Sequence, residues 1–252
     1  MGQLHIAKDT SQLSSDLAEF IGNYIQEVLQ KKDRFTFVLS GGSTPKILYT
    51  LLAASPYNES IPWEKLHFFW GDERAVPFED SRNNAKMAYD ELLDKVGAKA
   101  ENIHVMRTDI EPEESAAEYE KILKQYFEGE ETTFDFVLLG MGDDGHTLSL
   151  FPGTSVIHEQ DAWVTSFFLP AQNMYRITLT APVVNHAACV AFLAVGTGKA
   201  ETLKHVLEGE FAPDTYPSQV IKPSKGQLHW FIDEAAAGSL KDDLKDSDGN
   251  NA

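Results

Sequence analysis

The sequence predicts an α/β protein built on a doubly wound, mostly parallel sheet with helices on both faces. Three observations carry that expectation. Segments with helical periodicity alternate with short apolar ones almost throughout. Several short segments are apolar on consecutive residues, as strands covered on both faces must be. Glycine-bearing segments stand directly after four of them.

Leu13, Leu17, Phe20, Ile21, Tyr24, Ile25, Val28 and Leu29 recur at helical spacing, so residues 11–32 read as an amphipathic helix. Phe35 to Ser40 is short, β-branched and aromatic, and ends at Gly41-Gly42, which marks a strand leading into a helix over roughly 45–54. Leu66 to Trp70 reads as a strand, 82–96 as a helix, Asn102 to Arg107 as a weaker strand, 112–128 as an acidic helix and Phe134 to Leu139 as a buried strand. After a loop-rich middle come strands at Ala162 to Phe168 and Arg176 to Thr180, and a short helix near 181–188. A strand at Cys189 to Val195, a helix near 199–208 and a strand at Leu228 to Asp233 complete the series. The Pro-bearing stretch 209–224 is expected to be an irregular surface loop. Residues 1–240 are expected to form one α/β catalytic domain, followed by a polar, unstructured tail over 241–252 (KDDLKDSDGNNA).

Twenty-one Lys and Arg against 39 Asp and Glu give a net charge of −18, a field that repels nucleic acid and anionic membranes. The longest apolar runs fall far short of the ~20 residues that span a bilayer, and no secretion signal is visible. The single cysteine, Cys189, excludes an intrachain disulfide and agrees with a reducing compartment. The expectation is a cytoplasmic protein, monomer or homodimer, with no nucleic-acid or membrane partner.

Ligands of open α/β sheets bind beyond the carboxyl ends of the strands, where loops converge and helix N-termini aim their N–H groups. Four segments qualify: Ser40 to Thr44, Gly71-Asp72-Glu73-Arg74, Gly140 to His146 (GMGDDGH) and Gly196 to Lys199. The first, followed by Pro45 and a helix, suits an anion cradle, because its glycines admit a ligand to the backbone and its hydroxyls donate. A tight turn capped by Ser43 or Thr44, with Pro45 at the first helical position, uses the same residues. Gly140 to Gly145 formally matches the dinucleotide fingerprint but meets Pro152-Gly153 too soon for the helix that motif requires.

His146 is flanked by Gly145 and preceded by Asp143 and Asp144, and a neighbouring carboxylate orients an imidazole for proton transfer. Asp144 is the expected orienting partner. Asp72, Glu73, Asp143, Asp144 and His146 include donors that suit a divalent metal, but no His-x-x-x-His spacing supports one, and the expectation is no metal. Arg74, Arg176 and Lys199 each fall at or beside an expected strand end. There they would supply positive charge to an anionic ligand, though surface ion pairs use arginines in the same way.

LSGGSTP (39–45), FFWGDERAVP (68–77), SRNN (81–84), DFVLLGMGDDGHTLSLFPGT (135–154), RITLT (176–180) and FLAVGTGKAE (192–201) together resemble the 6-phosphogluconolactonase family, related to the glucosamine-6-phosphate deaminases. The resemblance covers about residues 1–234. It implies a doubly wound, Rossmann-like sheet of the deaminase/isomerase type, no cofactor, a phosphosugar lactone as partner, and hydrolysis of 6-phosphogluconolactone in the pentose phosphate pathway. It implies further that Gly41, Gly42, Ser43 and Thr44 hold the 6-phosphate with Arg176 and Lys199, that Asp72 belongs to the substrate site, that Arg74 lies near the sugar, and that His146 with Asp144 is the base. Related deaminases carry an acid five residues beyond the histidine, where this chain has Phe151, and a tyrosine where it has Arg74; both differences favour the lactonase. Leu148 departs from the small residue commoner there. The alternatives are a glucosamine-6-phosphate deaminase and a non-catalytic phosphosugar-sensing module.

Overall fold

The computed structural model describes residues 2–245. Six strands form one wholly parallel sheet in the order β1 (Gln3–Ala7), β9 (Gln227–Asp233), β8 (Cys189–Ala194), β5 (Phe136–Gly140), β2 (Phe35–Leu39) and β3 (Leu66–Trp70). The chain leaves β2 outward to β3, returns across it to β5 and then proceeds the other way through β8 to β9. The winding therefore reverses between β2 and β5, and the crevice that reversal opens lies at their carboxyl ends.

Consecutive apolar residues in these strands divide between two cores because side chains alternate across a strand. Phe37, Leu39, Phe136, Leu138, Phe68 and Trp70 join one cluster with Leu13, Leu17, Ile21 and Ile25 of helix α1 (Thr10–Leu29), each at most 1% exposed. Val38, Val137, Leu139, Val190 and Phe192 face the opposite cluster with Tyr119 and Leu123 of α5 (Pro112–Phe127). Burying each such side chain contributes on the order of 1.5–3 kcal/mol, so both faces of the sheet are held. Helix α1 starts where the Asp9 carboxylate accepts from the Gln12 N–H at 2.9 Å.

Helix α2 (Ser43–Leu52) follows β2 and is succeeded by the single turn α3 (Tyr57–Ser60). The expected cap is corrected: Gly42, at φ 112°, is the N-cap, no side chain caps the helix, and Pro45 stands at its third position. A backbone turned to positive φ suits glycine and aims the following N–H groups outward, which leaves Ser43 and Thr44 inside the first turn.

Three elements depart from expectation. Asn102 to Arg107 forms no strand: after a short 3-10 turn, Ile103 makes one isolated bridge to Phe68, and the His104 N–H donates to the Phe68 carbonyl at 2.9 Å. The helix expected over 82–96 is α4 (Asn84–Glu91) followed by a 3-10 turn at Leu93–Lys95. Strands β6 (Val164–Leu169) and β7 (Met174–Leu179) pair antiparallel in a separate sheet of order β4-β7-β6, whose first member, β4 (Asp72–Arg74), lies in a segment expected only to follow a strand. Strand β1 gave no separate sequence signal.

Turn α6 (Ala181–Val184) and helix α7 (Ala200–Glu208) flank β8. Within the expected tail, α8 (Asp242–Lys245) forms a turn and Leu244 packs against the core, while 246–252 lie outside the described residues. Among the described residues no helix is long and apolar enough to cross a membrane.

Candidate active site

The four segments singled out in the sequence follow β2, β3, β5 and β8, which are neighbours in the sheet, so they meet along one edge. At β2 the hydroxyl of Tyr49 accepts from the Ser40 N–H and donates to the Ser40 carbonyl, both at 2.8 Å, which pins the strand end below Gly41. Beyond it, the uncapped N–H groups of α2 and the hydroxyls of Ser43 and Thr44 form a donor-rich turn. Lys46 does not join it but pairs with Glu91 at 2.9 Å.

The loop after β5 is folded on itself. Thr147 Oγ1 donates to the Gly140 carbonyl at 2.8 Å, the Gly142 N–H donates to the His146 carbonyl at 2.8 Å, and Ser218 donates through its N–H and hydroxyl to the Gly145 carbonyl at 2.9 and 2.8 Å. Within this frame His146 Nδ1 lies 2.6 Å from Asp144 Oδ1, which also accepts the His146 N–H at 3.1 Å. Burial pushes the Asp144 carboxyl up, but the His146 hydrogen bond and charge outweigh it and hold the group below its ordinary value. As a carboxylate, Asp144 accepts a hydrogen bond from the Nδ1–H of a neutral imidazole, which leaves the Nε2 lone pair available. A Cβ at Gly142 would fall 2.1 Å from Nδ1 and 2.5 Å from Asp144 Oδ1, so the dyad needs glycine there.

Asp143 points elsewhere, pairing with Lys199 Nζ at 2.6 Å, while its carbonyl accepts from Thr202 Oγ1 at 2.6 Å. These contacts hold the loops after β5 and β8 together.

The position of Arg176 corrects the sequence expectation. It stands in the middle of β7, opposite Arg74 in β4, rather than at a strand end, and is 3% exposed. Its Nε donates to Ser149 Oγ at 2.9 Å, Nη1 to Gln172 at 3.1 Å and Nη2 to Asp72 Oδ2 at 2.5 Å. Ser149 donates to the same Asp72 oxygen at 2.6 Å. Burial pushes the Asp72 carboxyl up, but the charges of Arg176 and Arg74 and the two hydrogen bonds hold it well below the carboxylate range.

A chain of contacts joins the predicted residues. The space that a Cβ on Gly41 would need is filled by Asn84, whose Nδ2 donates to the Asp72 carbonyl at 2.8 Å. Arg74 Nη1 donates to Asn84 Oδ1 at 2.9 Å and to the Arg82 carbonyl at 2.8 Å. From Asp72 the path runs to Arg176, whose guanidinium carbon lies 5.6 Å from the centroid of the Phe151 ring, and Phe151 stacks on His146. Sequence reasoning gave no role to Asn84 or Ser149; the only pointer to Asn84 was its place in the SRNN segment. Among the described residues no three His, Cys, Asp or Glu side chains are grouped to hold a metal ion. The arrangement offers an imidazole oriented by a carboxylate, a donor-rich turn at the start of α2 and, at Arg74, a cation bonded to the amide that lies over that turn.

Comparison with known proteins agrees with this architecture. A family model described as glucosamine-6-phosphate isomerases/6-phosphogluconolactonase matches residues 8–230. The chain is 39% identical over 241 residues to a 6-phosphogluconolactonase of Nostoc sp., covering 94% of this chain and 98% of that one. It is also 39% identical over 221 residues to a 6-phosphogluconolactonase of Synechocystis sp., covering 86% and 89%. The solved structure of a 6-phosphogluconolactonase from Trypanosoma cruzi superposes with a TM-score of 0.83 at 28% identity, covering 96% of this chain and 97% of the other.

Proposed function

The chain belongs to the glucosamine-6-phosphate isomerase/6-phosphogluconolactonase family, and from that premise we propose that it works as the lactonase, with His146 as general base. It hydrolyses 6-phosphogluconolactone to 6-phosphogluconate in the oxidative pentose phosphate pathway. The observation that carries the assignment of the base is the His146–Asp144 dyad at the sheet edge that also bears the uncapped turn of α2.

A δ-lactone is an activated ester, so the reaction needs a placed water and a base rather than a covalent nucleophile. Nε2 of His146 takes a proton from water as its oxygen attacks C1, and Asp144 stabilises the imidazolium that forms. The tetrahedral intermediate then expels the ring oxygen, which takes the proton back from His146. Such help is worth ~10²–10⁴ in rate. Arg74 faces the developing oxyanion. Gly41, Gly42, Ser43 and Thr44, with the charges of Arg176 and Lys199, hold the 6-phosphate and keep C1 in register. Asp72 keeps Arg176 oriented for that task. The cytoplasm suits a water-soluble phosphosugar substrate.

The stacking of Phe151 on His146 favours the lactonase over deamination of an amino sugar phosphate, because an apolar ring occupies that side of the base. The test generates 6-phosphogluconolactone in situ and follows its loss with wild type and His146→Ala. The expected result is at least a ~10²-fold fall in kcat with 6-phosphogluconate binding kept. A variant that hydrolyses at the wild-type rate refutes the base assignment. Wild-type binding without hydrolysis above background supports the phosphosugar-sensing alternative instead.

A further inference from the structure

We infer that Asn84, seated by Glu73, is a positioning residue that couples the glycine turn after β2 to Arg74. The inference rests on the lactonase reading above and adds to it a residue that acts through others.

The SRNN segment ends where α4 begins, and its last residue is 2% exposed. The side chain of Asn84 lies so close over Gly41 that a Cβ there would fall 1.9 Å from Oδ1. That oxygen accepts from Arg74 Nη1 at 2.9 Å, while Nδ2 donates to the Asp72 carbonyl at 2.8 Å. One amide therefore touches the turn assigned to phosphate, the arginine assigned to the oxyanion and the backbone beside the carboxylate that holds Arg176. Amides suit this place because one end accepts and the other donates.

Glu73 holds the amide there. Its carboxyl is 1% exposed and accepts three backbone N–H groups, those of Arg74 and Asn84 on Oε1 and that of Ala85 on Oε2, all at 2.8 Å. Two of these donors begin α4 and the third belongs to Arg74, so the side chain ties β4 to the helix start across an eleven-residue gap in sequence. A buried side chain bound at both ends in this way sets where Asn84 can project.

The test is a double-mutant cycle on kcat and KM for lactone generated in situ, with Asn84→Ala, Arg74→Ala and the double variant. Asn84→Ala should lower kcat about 10–100-fold and raise KM several-fold, since both the arginine and the turn lose a neighbour. In the Arg74→Ala background the same substitution should lower kcat less than threefold, because its route to turnover is already gone. Additive losses in the cycle overturn the coupling, as does Asn84→Ala with wild-type kinetics. Should Asn84→Ala not fold, Asn84→Ser replaces it, since the shorter side chain cannot reach both Arg74 and Asp72, and the same cycle is read. Failure of the lactonase reading shows separately, as an inactive wild type or an active His146→Ala.

Discussion

The ring of Phe151 lies against the imidazole of His146, with centroids 4.1 Å apart and planes inclined by 26°. The same phenyl ring neighbours the Arg176 guanidinium and is only 8% exposed, so one apolar plate separates the base from the buried cation.

Replacing that plate by an aliphatic side chain tests its role. Phe151→Leu keeps much of the volume but not the stacking, and aromatic pairs are worth roughly 0.5–1.5 kcal/mol beyond their area. The expected outcome is a kcat about 2–10-fold lower with KM little changed. A variant as fast as wild type would show that stacking does not orient the imidazole.

Gly142 offers a second handle on the dyad. Gly142→Ala drives a methyl group into the space shared by His146 Nδ1 and Asp144 Oδ1. It should lower kcat by ~10–10²-fold, matching Asp144→Asn, since both remove the same orientation. Circular dichroism should stay unchanged. Full activity in Gly142→Ala would mean that the base works without its carboxylate.

The Asp72–Arg176 pair is buried, so breaking it leaves a charge unpaired. Arg176→Met should destabilise by ~3–5 kcal/mol in urea unfolding at pH 7, and adding Asp72→Asn should recover part of that loss. The carboxyl of Asp72 is held below its unfolded value of about 4. Its contribution is therefore present above that value and lost as pH falls through the lower folded one. The stability advantage of wild type over Asp72→Asn should shrink from pH 7 toward pH 3; an advantage that grows would reverse the sign assigned here.

Glu73 titrates in the opposite sense. Burial raises its carboxyl to about 7, against the three backbone N–H bonds that lower it, and neighbouring Asp72 raises it further. Between the unfolded value near 4.5 and about 7 the folded chain holds a proton that the unfolded chain has released. Stability from this group therefore falls as pH rises through that window. Glu73→Gln removes the titration, so its stability relative to wild type should improve by up to about 3 kcal/mol between pH 5 and pH 8. Thermal unfolding of both proteins across that range measures it, and a relative loss for Glu73→Gln at the higher pH contradicts the assignment.

Much of the scaffold was legible in the sequence. Leu13, Leu17, Ile21 and Ile25 announced α1 because a helix returns to one face about every four residues, and Phe134 to Leu139 announced the strand covered on both sides that forms as β5 from Phe136. The four loops at the sheet edge were legible because each glycine-bearing segment directly follows such a strand. Less was legible where local pattern is weak. Strand β4 is three residues long, and Asn102 to Arg107 has strand-like composition but only one bridge to β3. Arg176 read as a rim cation because its strand was placed to begin there, whereas β7 begins at Met174 and encloses it.

By itself the sequence determined the alternation of helices and strands, the two-sided burial of the parallel sheet and the pairing of Asp144 with His146, because each depends on residues within a few positions of one another. Only the tertiary structure decided that Asn84 sits on Gly41, that Arg176 is enclosed by Asp72 and Ser149, and that Phe151 covers the imidazole. The first depends on the pairing of β2 with β3, the second on the loops that meet across the sheet edge after β3 and β5, and the third on how the loop after β5 turns back on itself. Chain distance carries no information about either geometry.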